Sequence, residues 1–585
     1  MFDSTFQALA DVSGAPPDYV KLIFLLLIAS PLAYPLPLLP AQAKHIACIF
    51  TSAFFFLGIL NLRAGFAQLF LTSLLTYGLA KFKVGGKKMP WIVFWVEMGH
   101  LTVNHLIRAY GNIPLTTIEV TAMQMVLTMN LTTFAWDVYD GQIRTEDQCD
   151  AQQKMTRIAQ MPDLIEFLGY CFYFPGVLIG PATRFVDYRA WAQGSVYASV
   201  KGKEKDQGNT SLQQPPPGRI QAAARELVIG LFFLGVYTVF APGWDFTALV
   251  LPVEEGGLGK KETTLVYRIW FATVASFMAR TKYYGVWTLT NASCILSGLS
   301  YNGVAPVSGS SSTELSSRTR WNRCQNVDIF GVEFAQNWKE LLDHWNMNTN
   351  VWLRNNVYKR VTRPGKKPGF KSTMVTFLTS AFWHGVAPGY YMAFIYGGFA
   401  QSIARSLRKS LRPRFFPPSG PADAASQKPG QQGGGHKVYQ WIYVALSIAS
   451  VHLSLAFAAL AFLLLDVQAT WKAWSALNFY GLWSIGGLTI AFRLGLGKVL
   501  SGSQHVSRER KKRDVAPHSA TASAATSGDE LFSYSTSVRP RPVGEDEQRR
   551  IGERILKQEA EKEPGVHLLD VDMAERDLRE KIEQM

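Results

Sequence analysis

At 585 residues the chain is long enough for several soluble domains, but 48% of it is hydrophobic, 13% aromatic and only 18% charged. Apolar runs of roughly 17–25 residues recur from Val20 to Leu496, which excludes an ordinary soluble enzyme and predicts helices that cross a bilayer. The formal net charge is +15, yet the lysines and arginines fall between the apolar runs. That is the pattern of cytoplasmic loops, so no nucleic-acid partner is expected.

Residues 1–19 carry Asp3, Asp11 and Asp18 and no lysine or arginine. They lack a basic stretch followed by a small-residue cleavage site, so no cleavable signal peptide is expected. Apolar segments then run at 20–38, 43–62, 65–82, 89–110, 121–140, 163–181, 219–242, 265–299, 371–384, 388–408, 438–466 and 471–498. Allowing for tilted and re-entrant members, they predict an all-α polytopic membrane protein with about eleven transmembrane or re-entrant helices. The first should be bent or shallow, because it holds Pro31, Pro35, Pro37 and Pro40.

Charge sets the expected orientation. The N-terminus is poor in positive charge and 81–88 (Lys-Phe-Lys-Val-Gly-Gly-Lys-Lys) is rich in it, so the first is placed in the lumen and the second in the cytosol. Two further crossings return the chain to the basic 141–160. Segment 163–181 must then be re-entrant, because 183–218 is again basic. The stretch 302–370 is basic too, and the last span leaves at Lys498 into a cytosolic tail. Stretches 199–218, 412–437 and 499–543 are too polar and too rich in Pro, Gly or Ser to bury a core, and 544–585 reads as a solvated helix or two. The expected organisation is therefore a membrane domain, 1–498, and a charged, partly disordered tail, 499–585. Arg508, Arg510, Lys511, Lys512 and Arg513 set topology, with contact to anionic headgroups as the second reading. Asn209-Thr210-Ser211 is a glycosylation sequon in a loop placed in the cytosol; Asn130 and Asn291 head sequons inside apolar spans. The five cysteines have no CxxC spacing, so neither a disulfide framework nor a zinc site is expected.

Ten histidines can be sorted by place. His436, His505, His518 and His567 lie in polar stretches, His45 at a helix start, and His452 in an apolar span where a hydrogen-bonded structural role is the simpler reading. His100 and His105 share a span five residues apart, off a common helical face and without acidic or cysteine companions for a metal. His344 lies in a polar amphipathic stretch. His384 differs: it ends an apolar run and is followed by Gly385, Pro388 and Gly389. A broken helix at membrane depth survives where it lines a protein-enclosed or water-filled cavity, and a titratable residue there is a functional candidate.

Trp383-His384-Gly385 followed by Gly389-Tyr390-Tyr391 resembles the histidine motif of the membrane-bound O-acyltransferase (MBOAT) family, and Trp345-Asn346-Met347-Asn348-Thr349-Asn350-Val351-Trp352-Leu353-Arg354 resembles its upstream asparagine block. Trp136-Asp137, the run Gly169-Tyr170-Cys171-Phe172-Tyr173-Phe174-Pro175-Gly176-Val177-Leu178-Ile179-Gly180-Pro181, and Lys282-Tyr283-Tyr284 with Ser297-Gly298-Leu299-Ser300-Tyr301-Asn302-Gly303 are similar to the lysophospholipid acyltransferase branch. The blocks together span about 130 to 400, and the insertion, linker and tail look like those of fungal broad-range members. The resemblance implies an endoplasmic reticulum enzyme that moves an acyl chain from acyl-CoA to a lysophospholipid hydroxyl. Acyl-CoA is then a co-substrate and no further cofactor is implied.

The chemistry suits these residue types. A thioester is already activated, while a lipid hydroxyl attacks well only if its proton is removed as it does so. The resemblance gives His384 that role, and Asn346 the role of oxyanion or hydroxyl donor, with Asn348 and Asn350 as near neighbours. Lys359, Arg360, Arg363, Lys366 and Lys367 are candidate contacts for the CoA phosphates, with plain positive-inside topology as the alternative. Lys339 and Arg354 are similar candidates nearer the chamber. Trp136, Asp137 and Trp383 are assigned to substrate, against a packing role. The rivals are an MBOAT enzyme acting on a sterol, diacylglycerol or protein, and a transporter, against which stand the lack of an inverted repeat and of an intramembrane charge relay. Headgroup, acyl chain, sn position and oligomeric state are left open.

Overall fold

The structure, a computed structural model, describes residues 2–114, 116–200, 214–304, 319–362, 369–416 and 434–501. Most of the expected linkers and tail, the Asn209 sequon and the cations Arg363, Lys366 and Lys367 lie outside the described residues. By its internal contacts the chain divides into Met1–Tyr534 and Ser535–Met585, and every described residue belongs to the first. Among the described residues the protein is all-α, with a single isolated bridge, Val304 to Thr319, in place of any sheet.

A short helix that the pattern did not announce, α1 (Asp3–Ser13), precedes the first apolar one, α2 (Pro17–Ala33), and Lys21 pairs with Asp3 across them. Helix α2 carries Pro31 inside it and gives way to a 3-10 turn at Leu36–Leu38, the bend its prolines require. There follow α3 (Ala41–Phe54), α4 (Arg63–Lys81), α5 (Met89–Tyr110) and α6 (Val120–Gln142). The expected re-entrant segment is two short pieces, Leu164–Cys171 and Phe174–Val177; eight residues of helix reach only about 12 Å, too little to cross a bilayer. Helices α7 (Arg219–Phe240) and α8 (Leu265–Leu296) form a long antiparallel pair.

The basic stretch 302–370 is not a plain polar loop. It folds into short helices, among them α9 (Trp338–His344) and α10 (Met347–Leu353), and buries Trp338, Leu341, Met347, Trp352 and Val357. Then come α11 (Phe370–His384), α12 (Pro388–Phe415) and α13 (Gly434–Leu464). The expected disorder of 412–437 therefore begins and ends in helix. The last expected span, 471–498, is broken into Val467–Ala476, Tyr480–Arg493 and Leu496–Ser501, because Asn478, Phe479 and Gly495 take positive φ.

Four helical stretches among the described residues are long and apolar enough to cross a membrane on those grounds alone: Pro17–Leu38, Ala41–Ile59, Arg219–Leu249 and Lys437–Leu464. Helix α7 turns Val228, Leu231, Phe232 and Val239 outward, an apolar face suited to lipid. Helices α5 and α6 are as long but carry polar groups that partner one another internally. The Glu97 carboxylate accepts from Thr72 and Thr76 at 3.0 and 2.7 Å, and Asn104 Nδ2 donates to Gln68 and Gln124 at 2.9 and 2.7 Å. Satisfaction of that kind is what the interior of a membrane protein demands. A small cluster of Phe94, Met98, Leu101, Met129, Trp352, Leu353, Val357 and Trp383 joins α5, α6, α10 and α11, and it is here that the candidate site is built.

Candidate active site

His384 is the last residue of α11. Gly385 stops the helix at φ 136° and ψ −165°, a conformation that L side chains avoid, and Ala387 is extended because Pro388 follows it as the first residue of α12. The turn is held close to its neighbours. Gly389 N–H donates to Leu465 O at 2.8 Å, and a Cβ at Gly389 would meet Ala461 O at 2.3 Å. The half-buried imidazole sits among aromatic rings: Trp383, Phe462, Phe394 and Tyr390, with centroids 4.7, 5.0, 5.2 and 5.6 Å away. Among the described residues no polar side chain hydrogen-bonds to it. The ring is thus oriented by packing and keeps a nitrogen for an incoming proton.

Asn346 sits at the N-cap of α10 in the left-handed region, φ 45° and ψ 53°. Trp345 before it packs against Tyr283, Tyr284 and Trp287 of α8, with ring centroids 5.5, 5.9 and 5.0 Å apart. Hydrogen-bond logic then sets the amide. The Asn348 backbone N–H donates to Asn326 Oδ1 at 3.1 Å, so the other end of Asn326 is a donor. That donor meets Asn346 Oδ1 at 3.2 Å, and Thr349 Oγ1 meets the same oxygen at 2.8 Å. With its oxygen doubly engaged, Asn346 is left with Nδ2–H₂ as its donor end. Asn348 and Asn350 are occupied otherwise: their amides donate to Gln325 O and Leu342 O at 3.1 and 2.9 Å.

Helix α6 packs against a neighbour of each residue. Trp383 Nε1 donates to Met125 O at 3.0 Å, while Thr349 Oγ1, the group that orients Asn346, lies 3.3 Å from Met129 Sδ. Met125 and Met129 are four residues apart on the helix, about 6 Å along its axis. Trp352 stacks near Trp383, centroids 5.8 Å apart, and its indole N–H donates to Thr132 at 2.9 Å; Asn356 reaches Thr133 at 2.7 Å. The Trp383 indole N–H is therefore engaged by the protein itself.

The other candidates separate by partner. Arg360 holds both oxygens of buried Asp140, lies 4.1 Å from the Trp136 ring centroid, and is thereby fixed to α6. Its geometry is that of a clasp, and the expectation of a phosphate contact finds its charge already paired. Lys359 is paired with Asp150 at 2.9 Å, though both side chains are partly exposed. Arg354 is half-buried at the start of a π-helical turn, Arg354–Tyr358. Trp136 and Asp137 are buried; Trp136 packs edge-on to Trp91 and Tyr139, and its Nε1 and the Asp137 Oδ2 have no protein partner. Lys339 pairs with Asp343 at 2.7 Å. His344 is bonded to Glu340 O and His452 to Glu333 O, each at 2.8 Å, structural roles for both. Sequence reading missed Asn326, Thr349 and the ring box of Phe394 and Phe462. Only Thr349, three residues past Asn346 in the same block, stood near enough in the sequence to be found.

An all-helical fold with several apolar helices, a histidine without a hydrogen-bonding side chain among the described residues, and an asparagine amide with its donor end left over define a membrane protein with a candidate acid–base site. The family model of the membrane-bound O-acyltransferases matches residues 106–429. The chain is 34% identical over 481 residues to a lysophospholipid acyltransferase of Schizosaccharomyces pombe, covering 82% of this chain and 87% of that one. It is 35% identical over 466 residues to a lysophospholipid acyltransferase of Saccharomyces cerevisiae, covering 78% and 71%. A mouse membrane-bound glycerophospholipid O-acyltransferase 1 is 28% identical over 389 residues. The chain belongs to the membrane-bound O-acyltransferase family.

Proposed function

We propose that this protein transfers an acyl chain from acyl-CoA to the free hydroxyl of a lysophospholipid, giving a diacyl phospholipid and CoA. The reading is supported by two side chains whose chemistry is left available: the His384 imidazole, boxed by aromatic rings and without a hydrogen-bonding side chain among the described residues, and the Asn346 amide, whose N–H₂ end is left to donate. The names of the fungal relatives supply the acceptor class. His384 takes the proton of the lipid hydroxyl as its oxygen attacks the thioester carbon. Asn346 Nδ2 donates to the oxyanion of the tetrahedral intermediate. Collapse breaks the C–S bond, and the imidazolium returns the proton to the departing thiolate. No covalent enzyme intermediate is needed.

In this reading the site is a chamber within the bilayer of the endoplasmic reticulum, with acyl-CoA entering from the cytosol, where the tail also lies. Lys359 and Arg354, with Arg363, Lys366 and Lys367, meet the phosphates; Lys359 does so by exchanging its exposed carboxylate partner. Trp136 and Asp137 are assigned to the acceptor's polar end, a reading supported by the buried N–H and carboxylate oxygen that the protein leaves without a hydrogen bond. The test is thiol release by the purified full chain given acyl-CoA and a panel of acceptors. Turnover with lysophospholipids that vanishes in His384→Ala is expected. Turnover confined to a sterol, diacylglycerol or peptide would replace the acceptor class, and liposome flux without acyl-CoA would replace the enzyme by a transporter.

A further inference from the structure

Helix α11 ends one residue past Trp383, and the end of a helix leaves backbone carbonyls without their usual partners. Gly385 N–H still reaches Ala381 O at 3.1 Å, but the residue that would serve Trp383 O, Ala387, lies beyond the break. Trp383 O instead faces Nε2 of His105 on α5 at 3.3 Å. His105 is 8% exposed, and its Nδ1 would lie 3.2 Å from a Cβ placed on Gly385. On the other side Tyr390 Cε2 would lie 3.4 Å from that Cβ. The main chain next to His384 is thus held between His105 and Tyr390. The helix that bears His105 is itself tied down one residue earlier, where Asn104 bonds to Gln68 on α4 and Gln124 on α6.

We propose that His105 is a positioning residue for transfer: its Nε2–H caps the Trp383 carbonyl and so sets where the His384 imidazole stands. A carbonyl can only accept, so the proton of this contact is on Nε2 and His105 acts as the donor. His105 touches no reacting atom. It acts on His384 through the backbone, in the way that a catalytic base is oriented by a third group. The inference rests on His384 being the base of the reaction proposed above.

Two substitutions divide the ring from the donor. His105→Phe keeps an aromatic ring and removes the N–H; His105→Gln keeps an N–H donor and removes the ring. Turnover is read as thiol release by the purified full chain on whichever acceptor the wild type acylates, with thermal unfolding measured alongside. His105→Phe is expected to lower kcat about tenfold to a hundredfold, the scale of a misplaced catalytic group, with KM for both substrates within about threefold. His105→Gln is expected to keep about a third or more of kcat, whatever it does to thermal stability. A phenylalanine variant with wild-type kcat, or a glutamine variant as slow as the phenylalanine one, would overturn the proposal and leave His105 a packing residue. Lack of turnover on lysophospholipid with turnover on another acceptor would count against the acceptor class alone, since the ratio between variants is still read.

Discussion

His384 and Asn346 differ in how they are held, and their variants should differ accordingly. The His384 ring has only aromatic side chains packed against it, and its main chain is fixed beside His105, so His384→Ala should abolish transfer while the protein stays folded and membrane-inserted; activity above a few per cent would remove it from the base role. Asn346 is oriented by two donors to its oxygen. Asn346→Ala should lower kcat roughly 10²–10³-fold, the scale of a lost oxyanion donor. Thr349→Val removes one of the two orienting bonds and should show the same effect at smaller size, about threefold to thirtyfold in kcat with little change in KM. Asn348→Ala and Asn350→Ala break bonds to backbone carbonyls instead, and should lower the unfolding temperature before they slow turnover. If Asn348 proves the most damaging of the three asparagines in kcat, the oxyanion assignment belongs there.

At the scale of elements, the segment after Asn346 is clasped to α6 by Arg360. Asp140 is 1% exposed and faces both Arg360 and Arg144. A buried charge left with no partner costs about 3–5 kcal/mol, and Arg360→Ala should cost less than that because Asp140 keeps Arg144. Arg360→Ala should therefore appear as a lowered unfolding midpoint in detergent, with KM for acyl-CoA little changed. A stable variant with a raised KM would return Arg360 to the phosphate site. The break between α11 and α12 is the second element-scale feature. Gly385→Ala puts a Cβ at φ 136° beside His105, where strain of about 1–3 kcal/mol is the ordinary cost, and kcat should fall with it. These elements also mark where the sequence could be read and where it could not. Helices α5, α6 and α11 lie within a residue or two of their expected limits because apolar run length and Gly or Pro stops are local signals. The last span departs from its expected limits because Asn478, a residue suited to the left-handed end of a helix, stops it in mid-run, and Phe479 beside it takes a positive φ that its own side chain does not announce.

For the whole molecule, the basic loops and the acidic N-terminus give the orientation its test. Asn209, in the loop placed in the cytosol, should carry no N-glycan when the protein is made in a eukaryotic cell. A glycosidase-sensitive gel shift lost in Asn209→Gln would turn the loop to the lumen and reverse the side of acyl-CoA entry. The sequons at Asn130 and Asn291 are closed by burial, since Asn130 accepts from Thr183 N–H and Asn291 bonds to Glu226 and Ser300. By itself the sequence determined that the chain is helical and membrane-embedded, that a helix stops after His384, and which family blocks surround it. Each of these is written in runs of neighbouring residues, through hydropathy and backbone freedom. Only the tertiary structure decided which end of the Asn346 amide is left to donate, that Arg360 is held by Asp140 across 220 residues, and that His105 reaches the Trp383 carbonyl across 278. Those contacts join elements distant in the chain, and their partners are selected by how the helices pack rather than by any property of the residues beside them.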